Sequence, residues 1–516
     1  MTNFDCNRDE IILVSIAIAF EQLLPTQLIM NILQKSPQVS LHVPPLIWQE
    51  IRQAMLDARR GREEVIGFLF CKRDRLSKTR FRYIPLNWIV PSPECYEHQS
   101  NNGLVLKQSF HHYILDTYLD GESETNKLDV VHIHTHYGNT APAFSAIDDH
   151  YEAEYARFLA SAYPHKPRLI SGVFDESLEK AEFRIWDRQG IDRTPIDFSH
   201  SWFPPLEDKT SLVDTTAEIF SRQQVFGKGV QQQLGQLKVA LIGCGGIGSV
   251  FAEQLARLGV RHWLLIDPDR LETVNLNRTP GATQQMVDRN WQKVDYVKWL
   301  IKRAYAVGSH VRTLPISIEN ETAKAETAMA DLIVVATDNH KSRQIAQELA
   351  LQHMRPLICL GTHIEAKPNH RPRLYTRVTV PPLNGGWCLM CANVINLQQA
   401  ALESAPIEIL DIAQNAGYIK GINNPAVYWL NSLCASAGVG IVHKMIAGFL
   451  NADAGLDWIS DFSHDHWLKT NPEHLHTKDC YFCSSDLTPE SDREIDLVEF
   501  TGDRHEDYIF PNEEIW

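Results

Sequence analysis

The stretch from Leu237 to Arg278 constrains this chain more than any other: LKVALIGCGGIGS, a helical run, then HWLLIDPDRLETVNLNR. Val239 to Ile242 is a short apolar run entering a turn that holds Gly243, Gly245, Gly246 and Gly248. The apolar residues from Val250 to Leu258 then recur with helical spacing. That order predicts a strand, a glycine turn and a helix. Glycine is needed because the backbone must turn tightly and approach a polyphosphate closely, leaving the first helical amides to meet the negative charge. A second strand ends at Asp267, about twenty residues on, where a carboxylate can bind ribose hydroxyls. Alone, GxGxxG would serve any dinucleotide site. Asp267, Asp269, Asn275 and Arg278 add a DxDx5NxxR block for which an ordinary NAD-binding unit has no use.

A chain of 516 residues predicts two or three domains. The formal charge of −15 argues against nucleic acid or an anionic membrane as the main partner, since either would want a basic face. A protein partner stays open. Ten cysteines include two C-x-x-C pairs, which suits a reducing cytoplasm and metal binding better than a disulfide framework. The apolar run Ile11 to Phe20 follows Asp9 and Glu10; it is too short for a membrane span and lacks the basic flank of a signal peptide. It reads as a buried strand or helix.

Residues 1–45 carry no recognisable chemistry. Pro44 to Ala58 has the pattern of an amphipathic helix, and GREEVIGFLFCKRD reads as a strand with Glu64 at its start. In VVHIHTHYGNTAPAFSAIDDHY, alternation from Val130 to His136 sends His132, His134 and His136 to one face, and Ser145 and Asp148 follow a loop. Two histidines and a carboxylate make a three-ligand zinc site with one position left for water. A nearby carboxylate could take that water's proton and pass it to a leaving amine.

These residues, over roughly 40–195, resemble the JAMM (JAB/MPN) metalloprotease motif: an upstream Glu, HxH, a loop, then SxxD. The resemblance implies an α/β JAB/MPN-like domain that cleaves peptide or isopeptide bonds after ubiquitin-like proteins. It makes His134, His136 and Asp148 the ligands of a catalytic zinc, Glu64 the general acid/base, and Ser145 a holder of the oxyanion. The loop is one residue longer than the family's, and Tyr137 stands where Pro is common. His132 or Asp149 could enter the ligand set in another register, and Glu63 is the alternative to Glu64. A fold that has lost its metal is the other reading.

HSWFPPLEDKT, with two prolines and mixed charge, reads as a linker. Beyond it, the glycine turn and DxDx5NxxR block resemble the nucleotide site of the ThiF/MoeB superfamily, ATP-dependent adenylyltransferases that activate ubiquitin-like and sulfur-carrier proteins. The resemblance implies a Rossmann-like doubly wound domain that binds ATP through Gly243, Gly245, Gly246, Gly248, Asp267, Asp269, Asn275 and Arg278. Lys293 matches the family's phosphate-binding Lys, with Lys298 as substitute, and Asp338 its magnesium-binding Asp. Mg²⁺, Lys293 and Arg278 would share the charge of the reacting phosphates. Arg222 matches an Arg that reaches the nucleotide of the other subunit, so a homodimer is implied. Cys388, Cys391, Cys480 and Cys483 offer four thiolates to a structural Zn²⁺, resembling the zinc knot of ThiF-type enzymes; a redox role is the alternative.

The expected organisation is an extension (1–45), a metalloprotease-like domain (46–200), a linker (201–220), an adenylation domain (221–485) and an acidic tail (486–516). The first functional reading is a bifunctional enzyme of a ubiquitin-like pathway, adenylating the C-terminal Gly of a small protein and trimming or removing it. A conjugating enzyme is then a further partner. The alternatives are a sulfur-carrier adenylyltransferase for cofactor or cysteine synthesis, and a non-catalytic scaffold. No Cys lies between Cys391 and Cys434, where thioester-forming relatives keep theirs. Cys244, Cys359 and Cys434 fall in a turn, a strand and a helix pattern, where burial leaves thiols inert.

Overall fold

The computed structural model describes residues 38–75, 80–101, 103–119, 127–138, 141–200, 203, 218–304, 308–366, 370–382, 386–403, 425–450, 455–463, 466–469, 480 and 482–483. The apolar run at 11–20 and the tail at 486–516 lie outside them, as does most of the expected linker. No helix among the described residues is long and apolar enough to cross a membrane.

The N-terminal unit comprises β1 (Gln38–His42), α1 (Pro45–Ala58), β2 (Ile66–Arg75), β3 (Arg80–Ile89), β4 (Tyr96–Ser100), β5 (Gly103–Leu106), α2 (Gln108–Leu119), β6 (Asp129–Thr135), α3 (Ala146–Ala162), β7 (Leu169–Phe174), β8 (Ala181–Trp186), β9 (Arg193–Pro195) and β10 (Asp197–Ser199). All but β4 and β5 join one eight-stranded sheet, ordered β10-β1-β3-β2-β6-β7-β8-β9. Two-residue alternation decides which side chain meets which helix. Leu69, Cys71, Val131 and Ile133 join the cluster around Trp48 and Ile51 of α1, whereas Phe68, Phe70 and Val130 join the one around Leu115 of α2 and Leu159 of α3. His132 and His134 share the parity of Val130 and so face α3. The expected boundary at residue 46 falls too late: β1 pairs with β3 and β10, with Leu41 and Val43 in the core.

The C-terminal unit opens with a 3₁₀ segment, Glu218–Phe226, so residues 218–220 belong to a folded element and not to the linker. It continues with α4 (Lys228–Gln236), β11 (Lys238–Ile242), α5 (Gly246–Arg257), β12 (His262–Ile266), α6 (Gln284–Asp288), α7 (Lys293–Ala304), β13 (His310–Leu314), α8 (Glu321–Ala328), β14 (Leu332–Val335), α9 (His340–Gln352), β15 (Leu357–Glu365), β16 (Arg373–Val380), α10 (Leu397–Glu403), α11 (Tyr428–Ile446), β17 (Leu456–Asp461) and β18 (His466–Lys469). The sheet order is β13-β12-β11-β14-β15-β16-β17-β18. The strands from β13 to β15 are parallel. Val239 and Leu241 pack toward α5, α7 and α11, while Ala240 and Ile242 pack toward α8 and α9. Each fully buried Phe or Leu of these layers contributes about 1.5–3 kcal/mol. Register aligns Ile242 with both Ile266 and Val335. The glycine turn, Asp267 and the Thr337–Asp338 pair therefore emerge side by side, where the strand order reverses, the position at which such sheets bind ligands.

Candidate functional site

At the carboxyl end of β11, Gly243 has φ +96, and a Cβ there would stand 2.8 Å from the Ala336 carbonyl oxygen. A Cβ on Gly248 would meet the Gly243 oxygen at 2.0 Å. Both positions require glycine. The cap of α5 is Gly245, with no side chain bonded to the first turn, so those amides stay available to an anion.

The carboxylate of Asp267 accepts the Cys244 amide at 2.7 Å and the Asp269 amide at 2.9 Å. Its first duty is thus to pin the turn, a different task from the ribose contact expected of it. Burial raises its pKa, against the pull of Lys293 and those two amides. Lys293, at the start of α7, donates to Asp269 at 2.7 Å. Burial works against its ammonium, yet Asp267, Asp269 and Asp338 outweigh burial and raise its pKa. Lys298 instead has Lys302 and Asp295 as its charged neighbours. Asn275 is buried and accepts the Glu272 amide, shaping the turn that carries Arg278. The Arg278 stem lies 3.1 Å from where a Gly246 Cβ would be. Asn339, not Asp338, caps α9, accepting the Ser342 amide at 2.8 Å. The exposed Asp338 is thereby spared the capping role that an Asp after a strand commonly fills. Arg222 is exposed on the 3₁₀ segment.

Asn431 was not foreseen. It is buried in α11, accepts from Thr362 at 3.0 Å, and its Nδ2 would stand 2.5 Å from a Gly246 Cβ. The only trace in the sequence is a polar residue inside an apolar helix pattern. A 380 Å³ cavity along the β15–β16 pairing is lined by His340, Arg343, Cys359, His363, Tyr375 and Arg377, among others. None of the three candidate thiols is poised to react. Burial pushes Cys359 up, Cys244 well up and Cys434 to about 12.

In the N-terminal unit, Val65 and Thr135 exchange bonds (Val65 N to Thr135 Oγ1 3.0 Å, Thr135 N to Val65 O 3.1 Å). That pairing sets Glu64 opposite His136. Burial raises the Glu64 pKa, opposed by His136 and assisted by Asp148. Ser145 caps α3: its Oγ accepts the Asp148 amide at 3.2 Å, and Asp148 accepts the Ser145 amide at 2.6 Å. This capping box aims Asp148 at the histidines. His134 Nε2 lies 3.4 Å from Asp148 Oδ1, His136 Nε2 3.5 Å from Oδ2, and the two Nε2 atoms 3.2 Å apart. His136 Nδ1 faces the Ala143 carbonyl at 3.1 Å. Since a carbonyl only accepts, Nδ1 carries the proton and Nε2 presents a lone pair, the arrangement of a metal-binding imidazole.

Zinc–nitrogen and zinc–oxygen bonds of about 2.0–2.2 Å place tetrahedral ligand atoms roughly 3.3–3.6 Å apart. Two imidazole nitrogens and a carboxylate at these spacings fit a divalent cation. His132 and Asp149 each have a partner outside this trio, and His132, His134 and Glu152 form a second group at metal-ligand spacing. His132 Nε2 meets Glu152 at 3.2 Å, and Asp149 is bound by Arg184 at 2.6 Å and Arg193 at 2.7 Å. Burial would raise the Glu152 pKa, but His132, Arg184 and Trp186 hold it at about 2. This network was also unforeseen; Glu152 lies one helical turn beyond Asp148 on α3, the single sequence clue. An open cleft of about 1070 Å³ begins at Ala143 and Phe144 beside the cluster and includes Asp149, Arg184 and Arg193 in its lining.

The four cysteines also converge. Sulfur separations are 3.9 Å (Cys388–Cys391), 3.6 Å (Cys388–Cys480) and 3.5 Å (Cys391–Cys483), near the roughly 3.8 Å expected around tetrahedral zinc with 2.3 Å bonds. The cluster packs on Leu351 of α9.

Residues 220–449 match the ThiF family. The chain is 27% identical over 203 residues to the sulfur carrier protein ThiS adenylyltransferase of Bacillus subtilis (strain 168), covering 37% of this chain and 59% of that protein. It is 27% identical over 192 residues to the adenylyltransferase and sulfurtransferase MOCS3 of Danio rerio, covering 36% and 39%. Among solved structures, E. coli MccB with MccA-N7isoASN is similar at a TM-score of 0.42 and 19% identity, over 55% of this chain and 77% of that one. The chain thus spans less than two thirds of the length of these two curated relatives. Residues 220–449 of the chain thus carry a ThiF/MoeB-type domain.

Proposed function

We propose that the C-terminal unit adenylates the C-terminal glycine of a small carrier protein with ATP. The observation that carries this is Lys293 set among Asp267, Asp269 and Asp338 beside an uncapped helix start. A carrier carboxylate oxygen would attack the α-phosphate, and the bond to the bridging oxygen of pyrophosphate would break. Backbone amides of the glycine turn, Lys293 and Arg278 would hold the phosphates, and Asp338 would hold Mg²⁺, which neutralises the departing charge. The names of the relatives favour a sulfur carrier over a ubiquitin-like modifier, reversing the order expected from sequence. Exposed Ile219, Val225, Phe226 and Phe449 near Arg222 support a homodimer that shares Arg222 between sites. Pyrophosphate exchange with ATP should depend on a small protein ending in Gly, and Asp338→Ala should lower it about 10²–10³-fold. Undiminished exchange would remove the magnesium assignment.

A second reading adds a zinc peptidase in the N-terminal unit, supported by the convergence of His134, His136 and Asp148. Zinc held there would lower the pKa of water to near neutral. Glu64 would accept a proton and deliver it to the leaving amine, and Ser145 would stand by the oxyanion. Conjugation to a ubiquitin-like protein, with a separate conjugating enzyme, fits this half best. Purified protein should then hold about two zinc per chain, one of them removed by chelators. A single, tightly held zinc would leave only the cysteine site.

A further inference from the structure

Helix α9 is held at both ends by different halves of the molecule. At its amino end stand Asp338 and the cap Asn339, and Arg343 donates to the Thr337 carbonyl at 2.9 Å. At its carboxyl end the partners come from the β2–β3 hairpin of the N-terminal unit. Lys72 Nζ donates to the Gln352 carbonyl at 2.9 Å, and Arg82 donates to the His353 carbonyl. Asp74 accepts from Arg82 at 3.0 Å and faces His353 Nδ1 at 3.0 Å. Lys72, Asp74, Arg82 and His353 are all buried, at 7%, 3%, 7% and 8% exposure.

The last carbonyls of a helix lack intrahelical partners and carry the negative end of its dipole, so cations there complete it. In α9 those cations are supplied by the other domain. We propose that Lys72, Asp74 and Arg82 are positioning residues for the nucleotide site: by fixing the carboxyl end of α9 they set where Asp338 stands at its amino end. The helix is 13 residues long, about 20 Å. Ser342, Ile345, Ala346, Gln347, Leu349 and Ala350 are buried along it, so it shifts as a body and does not bend locally. The other end of the linkage is equally stiff. β2 runs 10 residues from beside Glu64 to Asp74, about 33 Å, inside a sheet. Burial would raise the Asp74 pKa, but His353 and Arg82 overturn that and lower it, so a charged carboxylate anchors the seam.

The inference rests on the nucleotide reading of Asp338, and the test separates the two. In the full-length chain, Lys72→Ala/Arg82→Ala is compared with wild type by amide hydrogen exchange along α9 and by calorimetric binding of ATP with Mg²⁺ and with EDTA. Exchange should quicken at Leu349–Arg355 and also at Asn339–Ser342, and affinity for ATP should fall about fivefold or more in Mg²⁺ but little in EDTA. Lys72→Arg/Arg82→Lys should restore both. Faster exchange confined to Leu349–Arg355, with affinity unchanged, would reduce the seam to a structural cap and overturn the proposal. If wild type binds no ATP, the nucleotide reading fails, while exchange at Asn339–Ser342 still decides the linkage. Should the double variant not fold, Lys72→Met alone carries the same comparison, its failure to quicken exchange at Asn339–Ser342 again counting against the proposal.

Discussion

The glycine turn of the C-terminal unit presents backbone to its ligand, whereas the histidine cluster of the N-terminal unit presents side chains held in place by other side chains. In the turn, removing Cβ atoms creates the site: Gly243 and Gly248 leave room for a sharp reversal, and Asp267 is spent on pinning it. In the cluster, adding polar groups creates the site. The cap at Ser145 aims Asp148, the Ala143 carbonyl sets the His136 tautomer, and a buried ion pair of Glu152 with Arg184 stands behind His132. A turn of the first kind tolerates little variation and is confined to a short stretch of chain. A cluster of the second kind is assembled from β2, β6 and α3, so its exactness is a tertiary property.

If the cluster is an active site and not only a well-satisfied fold, the largest effect belongs to Glu64→Gln. Cleavage of a carrier fusion should drop about 10²–10⁴-fold, with pyrophosphate exchange unaltered. Loss of both activities would mean that the two plans are not independent, and loss of neither would return Glu64 to a buried structural acid.

Acid should separate the units next. Glu152 has a folded pKa of about 2 against the 4.5 of an ordinary glutamate, a difference of about 3 kcal/mol at most. Because the folded value is the lower one, the stabilisation is complete above about pH 4.5 and is lost as pH falls toward 2. Unfolding of the N-terminal unit, followed by hydrogen exchange across β6 and α3, should steepen in that window, and Glu152→Gln should flatten the slope. An unchanged acid limb in Glu152→Gln would place the acid sensitivity elsewhere.

These contrasts also explain how much could be read from sequence. The turn, Asp267, Asn275, Arg278, Lys293 and Asp338 follow one another in chain order, and strands such as Val239–Ile242 announce themselves by apolar runs. The helix at 45–58 is legible from periodicity to within a residue. His134, His136 and Asp148 are legible as types at a spacing, but the ties of His132 to Glu152 and of Asp149 to Arg184 and Arg193 are not, because those partners meet only across α3, β8 and β9. Asn431 reaches Gly246 from nearly two hundred residues away. β1 was missed because five residues of alternation carry little signal until β3 and β10 flank them. The seam of Asp74 with His353 joins residues 279 apart, and no local pattern marks such a pair.

The backbone plan makes a sharper claim at Gly248. A Cβ would sit 2.0 Å from the Gly243 oxygen, so Gly248→Ala must shift α5 or open the turn. The expected cost is about 1–3 kcal/mol, with ATP binding lost more completely than stability. A variant that binds ATP normally would show that the turn is looser than its contacts indicate.

The smallest effect tests whether side-chain scaffolding in the cluster is more than helix capping. Ser145→Ala removes one bond of the capping box and should cost about 1 kcal/mol of stability. If capping were the whole of its role, Ser145→Asp, which restores a cap acceptor, would recover stability and metal content together. The geometry predicts otherwise. A carboxylate at residue 145 would sit within reach of the Asp148 amide and add a charge beside Asp148, whose own two oxygens face His134 and His136. Ser145→Asp should therefore regain the lost stability while altering zinc affinity, measured by competition with a chelating dye. Ser145→Ala should lower zinc affinity only slightly, because the Ser145 amide still donates to Asp148. Equal zinc affinity in both variants would show that the side chain of residue 145 shapes the helix and leaves the cluster untouched.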